Sequence, residues 1–286
     1  VRSITVFAGS TRVQVKETFK NVSNRDVEWG IWDVTQVPGS LTPGEAASSE
    51  ARIYVPVNPK SAYPNGFVRL AGDSTDQWQP VAGGGILQTT YAGTVAKVGL
   101  DTAAGWATYV DEKHGFTFAK TFTYSAEGKY PDKGSSVAVF TSGVNLPYME
   151  LEVMSPLKRI APKSEFSFEV NWYCAKVGGP TLKVTPAAAI KAFPQLAKKD
   201  GRFTLSGEVG AFSPGELKLV FLDKAGDMLT ASDPVKVEPV SPTVLSLQAA
   251  LPEKAAGAML ILNGTGGERI GNVAEVAIPS GMAAEE

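Results

Sequence analysis

This chain is poor in the residues that most often carry chemistry. Its 286 residues include one cysteine, Cys174, and one histidine, His114. A lone cysteine cannot close an intramolecular disulfide, and it excludes every multi-cysteine metal site. A lone imidazole excludes histidine-rich zinc sites and any mechanism that needs two imidazoles. No metal and no cofactor is therefore expected. Lysine and arginine number 27 against 29 acidic residues, and they are scattered along the chain. Binding to phosphate backbones needs a concentrated basic face, so nucleic acid is not an expected partner. No apolar run approaches the roughly 20 residues of a membrane-spanning helix. The longest, AMLILNG from Ala258, has the length of a strand.

Familiar catalytic and nucleotide-binding motifs are missing too. There is no G-x-S-x-G elbow for a serine nucleophile. GTGGERIG resembles a dinucleotide loop at a glance, but Arg269 stands where the third glycine belongs, and no helical pattern follows. A hairpin turn is the better reading. AGGGI, from Ala82, lacks the Lys-Ser/Thr ending of a phosphate loop and reads as a turn or a close backbone approach. The chain opens on valine with no signal-peptide pattern. This fits the expectation of a trimmed or processed chain from a periplasmic or extracellular protein.

What the chain does contain is alternation. ITVFAG, TRVQVKETFKNV, VEWGIWDVTQV, ARIYVPV, GGGILQTTYAG, GWATYVDE, FTFAKTFTY, SSVAVFTSG, YMELEVMSP and EFSFEVNWYCAKV repeat with period two and are separated by turn residues. This predicts an all-β protein of antiparallel sheets in a sandwich or barrel. A boundary is expected at VGGP, Val177–Pro180, beyond which tryptophan disappears. Residues 1–177 would form the first domain. Residues 181–280, about the size of an immunoglobulin-like sandwich, would form the second, leaving 281–286 (GMAAEE) as a frayed tail. PAAAIKAFPQLAKK, from Pro186, is expected to be a short helix.

Three places invite a functional reading. In YMELEVMSP, Tyr148, Glu150 and Glu152 should share one face, opposite Met149, Leu151 and Val153. Two carboxylates and a phenol on one face suit either solvent or a ligand whose hydroxyls they accept, and either glutamate could act as a base. His114, in DEKHGFTF beside a turn, is the single group that could carry a proton near neutral pH. WGIWDVTQVPG, from Trp29, spends two of the five tryptophans within four residues. Trp32 shares its strand parity with Gln36, and Trp29 shares its own with Asp33. An aromatic ring beside carboxylates and amides is the usual composition of a sugar site, the ring stacking on the apolar pyranose face. The competing reading packs both rings in the core.

FKNVSNRDVEWGIWDVTQV, followed about 110 residues later by YMELEVMSPLKRIAPKSEFSFEVNWY, resembles an uncharacterised group of bacterial galactose-mutarotase-like domains related to the aldose 1-epimerases. The resemblance covers residues 1–177 and implies a β-supersandwich whose concave face binds sugars. It makes Glu150 or Glu152 the candidate base, with Trp32, Asp33, Gln36 and Tyr148 as substrate-binding residues. The epimerase segment that carries a histidine resembles WGIWDVTQV, which has none. His114 would serve only if its loop folded over the face, and Asp33 only if burial raised its pKa. The implied partner is a carbohydrate. The first domain is short for a complete supersandwich, so its N-terminal strands are expected from another fragment of the same precursor. Three functions follow: an epimerase-type isomerase, a non-catalytic carbohydrate-binding protein, which the missing histidine favours, or a polysaccharide lyase or glycoside hydrolase accessory protein. A lyase would need a cation such as Arg52, Arg69 or Lys120 near an acidic sugar.

Overall fold

The structure, a computed structural model, describes residues 1–278 apart from 43, 46–47, 73–75 and 200–201. The tail expected at 281–286 lies outside the described residues. All described regular structure is β: 24 strands and no helix. The chain divides into two compact units, residues 1–6 with 12–173, and residues 7–11 with 174 onward.

The first unit begins with β1 (Arg2–Val6), β2 (Val13–Lys20), β3 (Val27–Trp29), β4 (Trp32–Pro38) and β5 (Ala51–Pro56). It continues through β6 (Val68–Ala71), β7 (Trp78–Pro80), β8 (Ile86–Thr90), β9 (Ala96–Leu100) and β10 (Trp106–Asp111). It ends with β11 (Phe116–Phe122), β12 (Val137–Thr141), β13 (Tyr148–Met154), β14 (Lys158–Ile160) and most of β15 (Glu165–Ala175). Eight strands form one sheet in the order β1-β2-β15-β11-β10-β5-β8-β7, and five form another in the order β4-β13-β12-β9-β6. β3 and β14 make a two-stranded ribbon.

The two large sheets close on a shared core. Ile53, Val55, Tyr109, Phe122 and Phe168 of the larger sheet meet Val98, Leu100, Val139, Leu151 and Val153 of the smaller. Period-two alternation explains this directly: the odd-numbered residues of β13 join this core and the even-numbered ones lie on the opposite face, where Tyr148 and Glu150 are half-buried while Glu152 and Met154 are buried.

VEWGIWDVTQV, read above as one strand, is two. Trp29 pairs with Lys158, and Trp32 with Met154. Two residues therefore separate the pairs on one strand and three on the other, which is a bulge. Ile31 is buried at the break and fixes it. Its N–H donates to Ser155 Oγ (2.8 Å), and its carbonyl accepts from the Ser155 N–H (2.9 Å).

The second unit holds β16 (Lys183–Val184), β17 (Ala188–Lys199), β18 (Arg202–Ala211), β19 (Gly215–Leu222) and β20 (Met228–Ala231). β21 (Val235–Val237), β22 (Thr243–Ala249), β23 (Gly257–Gly264) and β24 (Arg269–Val276) complete it. One sheet runs β16-β17-β18-β22 and the other β20-β19-β23-β24, with β21 beside β19. Ile190, Leu205 and Leu247 meet Leu219, Leu260 and Val273 in its core.

The helix expected from Pro186 is instead β17. Proline 194 cannot donate within a helix, and here it falls at a register shift between Ala192 and Gln195. Ala187, Ala188 and Ile190 are core residues, so their small size answers to sheet packing and not to helix propensity. The two glycine motifs read as turns are turns: Gly83, Gly84 and Gly85 all take positive φ between β7 and β8, and Gly267 does so between β23 and β24.

Candidate functional site

The outward face of the five-stranded sheet carries Trp32, Val34 and Gln36 from β4, and Tyr148, Glu150 and Glu152 from β13. Phe140 of β12 and Lys97 of β9 complete it. Register places Gln36, Glu150, Phe140 and Lys97 in one row across four strands. Val34, Glu152, Ala138 and Gly99 form the next row. Ala138 adds only a methyl to this row, and Ser135 covers Gly99. From the neighbouring row Lys97 reaches across diagonally, and its Nζ meets Glu152 Oε2 at 2.8 Å.

Glu152 is the hub. Its side chain is wholly buried, with Lys97 Nζ and the Trp32 indole N–H both at Oε2, each at 2.8 Å. Lys97 Nζ also lies 4.8 Å from the Trp32 ring centre, a cation–π contact. The indole is thus held at its nitrogen and supported by an ammonium, while 53% of Trp32 remains exposed. Such a ring is a fixed platform. It loses little rotamer freedom when something stacks on it. Burial pushes the Glu152 carboxyl above the usual carboxylate range, and the bonds from Lys97 and Trp32 draw it partly back. Glu152 Oε1 is buried with no hydrogen-bond partner among the described residues.

Asp132 approaches Lys97 from a loop, Oδ2 to Nζ 3.9 Å. Asp132 and Lys133 are non-glycine residues at positive φ, followed by Gly134 at φ 101°. That backbone costs energy. It is held by Ser135, whose Oγ donates to the Asp132 carbonyl (2.7 Å) and sits where any side chain at Gly99 would need to be. Further along the face, Gln36 Nε2 donates to Glu150 Oε1 at 3.1 Å, and the Phe140 and Tyr148 rings lie 5.8 Å apart. Both Gln36 and Glu150 keep acceptor oxygens for solvent or a ligand.

Five of the residues singled out from sequence therefore share one face: Trp32, Gln36, Tyr148, Glu150 and Glu152. Two do not. Asp33 points the other way, into the core, because neighbours on a strand face opposite sides. There it meets Lys120 of β11, whose Nζ contacts Asp33 Oδ1 and donates to the Leu151 carbonyl at 3.0 Å. His114 lies in the turn joining β10 to β11, on the larger sheet, with its ring and N–H on Asp111 at 2.7 and 2.9 Å. It does not fold over the Trp32 face. The three cations considered for a lyase are also apart. Lys120 is sealed in the core, Arg52 pairs with Glu112 on β5's sheet, and Arg69 is on β6.

Sequence reasoning missed Lys97 and Phe140. The signal for Lys97 was faint: one lysine in the short apolar run VAKVGL, whose strand was itself overlooked. Its link to Glu152 appears only once the β9–β12–β13 register is known.

No family model matches the chain, and no curated protein matches it. The solved structures similar to it include two at 11% identity. One is the Slr1438 protein from Synechocystis sp. PCC 6803, at TM-score 0.37, with 61% of this chain and 54% of that one covered. The other is described as a "Putative aldose 1-epimerase (b2544)" from Escherichia coli K12, at TM-score 0.40, with 62% and 60% covered. The match thus spans little more than half the length of either structure.

Proposed function

We propose that the first unit binds carbohydrate on the outward face of its five-stranded sheet, with Trp32 as the stacking platform. The observation that carries this reading is the anchored, half-exposed indole, held by Glu152 and Lys97 beside exposed acceptors. A pyranose presents C–H groups on one face and hydroxyls on its edge. The ring takes the first, and Gln36 and Glu150 accept from the second. From Tyr148 to Met154, β13 runs six residue steps, roughly 20 Å. Aromatic rings lie toward both ends of that distance, so the face suits an oligosaccharide better than a single sugar.

Binding is favoured over epimerase catalysis. Ring opening needs a base for the anomeric proton and an acid for the ring oxygen. Glu152 is committed through Oε2 to Lys97 and Trp32, and His114 is on the other sheet. Among the described strand residues of this face, Glu150 is the carboxylate left to receive a proton.

A glycan array followed by calorimetric titration tests the reading. A saturable oligosaccharide ligand is expected, with affinity lost in Trp32→Ala. Polarimetry on the same protein is expected to show no acceleration of aldose mutarotation. Acceleration abolished by Glu150→Gln would replace the binding reading with the catalytic one.

A further inference from the structure

The second tryptophan of the pair is also at the surface. Trp29 is 58% exposed and lines a groove of about 570 Å³ between the end of β2 and the β3–β14 ribbon. Phe19, Val22, Val27 and Ile160 give this groove apolar walls, and the exposed Lys20 and Arg25 also line it. None of the residues on the Trp32 face contributes to it.

The loop that follows β2 and carries Arg25 is built, not slack. Asn21 is buried and spends its whole side chain on it. Its Nδ2 donates to the carbonyls of Arg25 (2.7 Å) and Ile160 (2.9 Å). Its Oδ1 accepts from the Ser23 N–H and hydroxyl, at 3.0 and 2.7 Å. Lys163 Nζ donates to the Val22 carbonyl at 2.8 Å, and Lys158 lies across from Trp29 on the ribbon. Among the described residues neither Lys20 nor Arg25 has an ion-pair partner, whereas Arg159 is occupied by Asp26. The segments 20–29 and 158–165 together hold five basic residues (Lys20, Arg25, Lys158, Arg159, Lys163). They hold three acidic ones (Asp26, Glu28, Glu165), in a chain whose net charge is −2. A local positive excess around an exposed indole is complementary to a ligand that is both anionic and stackable.

We propose that this groove is a second binding site, separate from the Trp32 face, for an acidic saccharide. Trp29 stacks on the apolar face of a uronate ring, and Lys20 and Arg25 meet its carboxylate. The probe is a polygalacturonate oligomer, with its fully methyl-esterified form as the neutral control of identical backbone. Titration calorimetry is expected to show binding of the acid and at least about tenfold weaker binding of the ester. Binding of the acid should weaken as salt rises from about 0.1 to 1 M, which shortens the Debye length from about 10 to 3 Å. Trp29→Ala and the Lys20→Gln/Arg25→Gln pair should each lose that binding, while Trp32→Ala keeps it. These are exposed side chains, and far-ultraviolet dichroism of each variant checks that the sheets remain.

No binding of the acid, equal binding of the ester, or loss in Trp32→Ala with retention in Trp29→Ala would each overturn the proposal. So would binding of poly-glutamate as tight as that of the saccharide, since it would show that charge alone is read. Because Trp29 and Trp32 are tested separately, failure here leaves the reading of the outward face standing or falling on its own titration.

Discussion

The five-stranded sheet carries a lysine–carboxylate pair on each face, and the two behave as opposites. Asp33 and Lys120 lie inside, with side chains 3% and 0% exposed. Lys120 reaches Asp33 and two backbone carbonyls, so its ammonium is saturated. Burial lowers the Lys120 pKa, and the nearby carboxylates, Asp33 first, pull it back up. Glu152 and Lys97 lie outside. Glu152 is buried, but Lys97 keeps 17% of its side chain in solvent, and the pair holds an exposed tryptophan. The inner pair joins two sheets and presents nothing. The outer pair presents a ring. Similar chemistry on adjacent layers thus serves cohesion in one case and display in the other, and what separates them is which side of the sheet faces the core.

Breaking the inner pair should have the largest effect. Lys120→Met leaves Asp33 as an unpaired buried charge and should cost about 3–5 kcal/mol in urea unfolding. Adding Asp33→Leu should restore most of it, because two apolar residues of similar volume need no partner. If Lys120→Met alone is neutral, the inner pair is not a structural clamp.

Trp32→Ala should do the reverse. Loss of a central stacking residue should weaken oligosaccharide binding by about 2 kcal/mol or more. The unfolding midpoint should fall modestly: the half-exposed ring gives up little packing, but the buried Glu152 carboxyl loses its indole N–H donor.

Glu152→Gln probes the outer pair by pH. The folded carboxyl titrates above its unfolded value of about 4.3, so the folded state binds the proton more tightly. Its contribution is fully present below that value and is lost as pH rises through the elevated folded pKa. The wild type should therefore lose stability relative to Glu152→Gln across that window, by denaturant titration at a series of pH values. A difference that does not vary with pH would place the carboxyl in a water-like setting.

The smallest effect belongs to Glu150→Gln. Its stability should stay within about 0.5 kcal/mol of wild type, as for an ordinary surface substitution. Ligand affinity should fall only severalfold.

Alternation made much of this legible. The period-two pattern of YMELEVM already assigns Tyr148, Glu150 and Glu152 to one face, and burial of Met149, Leu151 and Val153 follows from it. The same rule separates Trp32 from Asp33. Grouping them as one sugar site set aside that parity in favour of composition, and the core position of Asp33 is the consequence. FTFAKTF carried a further clue: Lys120 shares its parity with Phe116, Phe118 and Phe122, and a lysine in an apolar row needs a buried partner. The identity of that partner, like the reach of Lys97 to Glu152, depends on which strands become neighbours. β4 and β13 are more than 100 residues apart in sequence, and no local pattern encodes their pairing. The Ala-rich run at Pro186 misled for a related reason: packing in the second unit's core outweighed helix propensity.

The most direct test of the outward-face reading is an indole proton–nitrogen NMR titration with an oligosaccharide identified on the array, the Trp32 resonance being assigned by its loss in Trp32→Phe. The Trp32 signal should shift saturably, because a ring stacking on the indole perturbs the N–H that Glu152 holds. The buried Trp78 and Trp106 should stay in place. A ligand that saturates the protein while the Trp32 signal does not move would contradict the assignment of this face as the binding site.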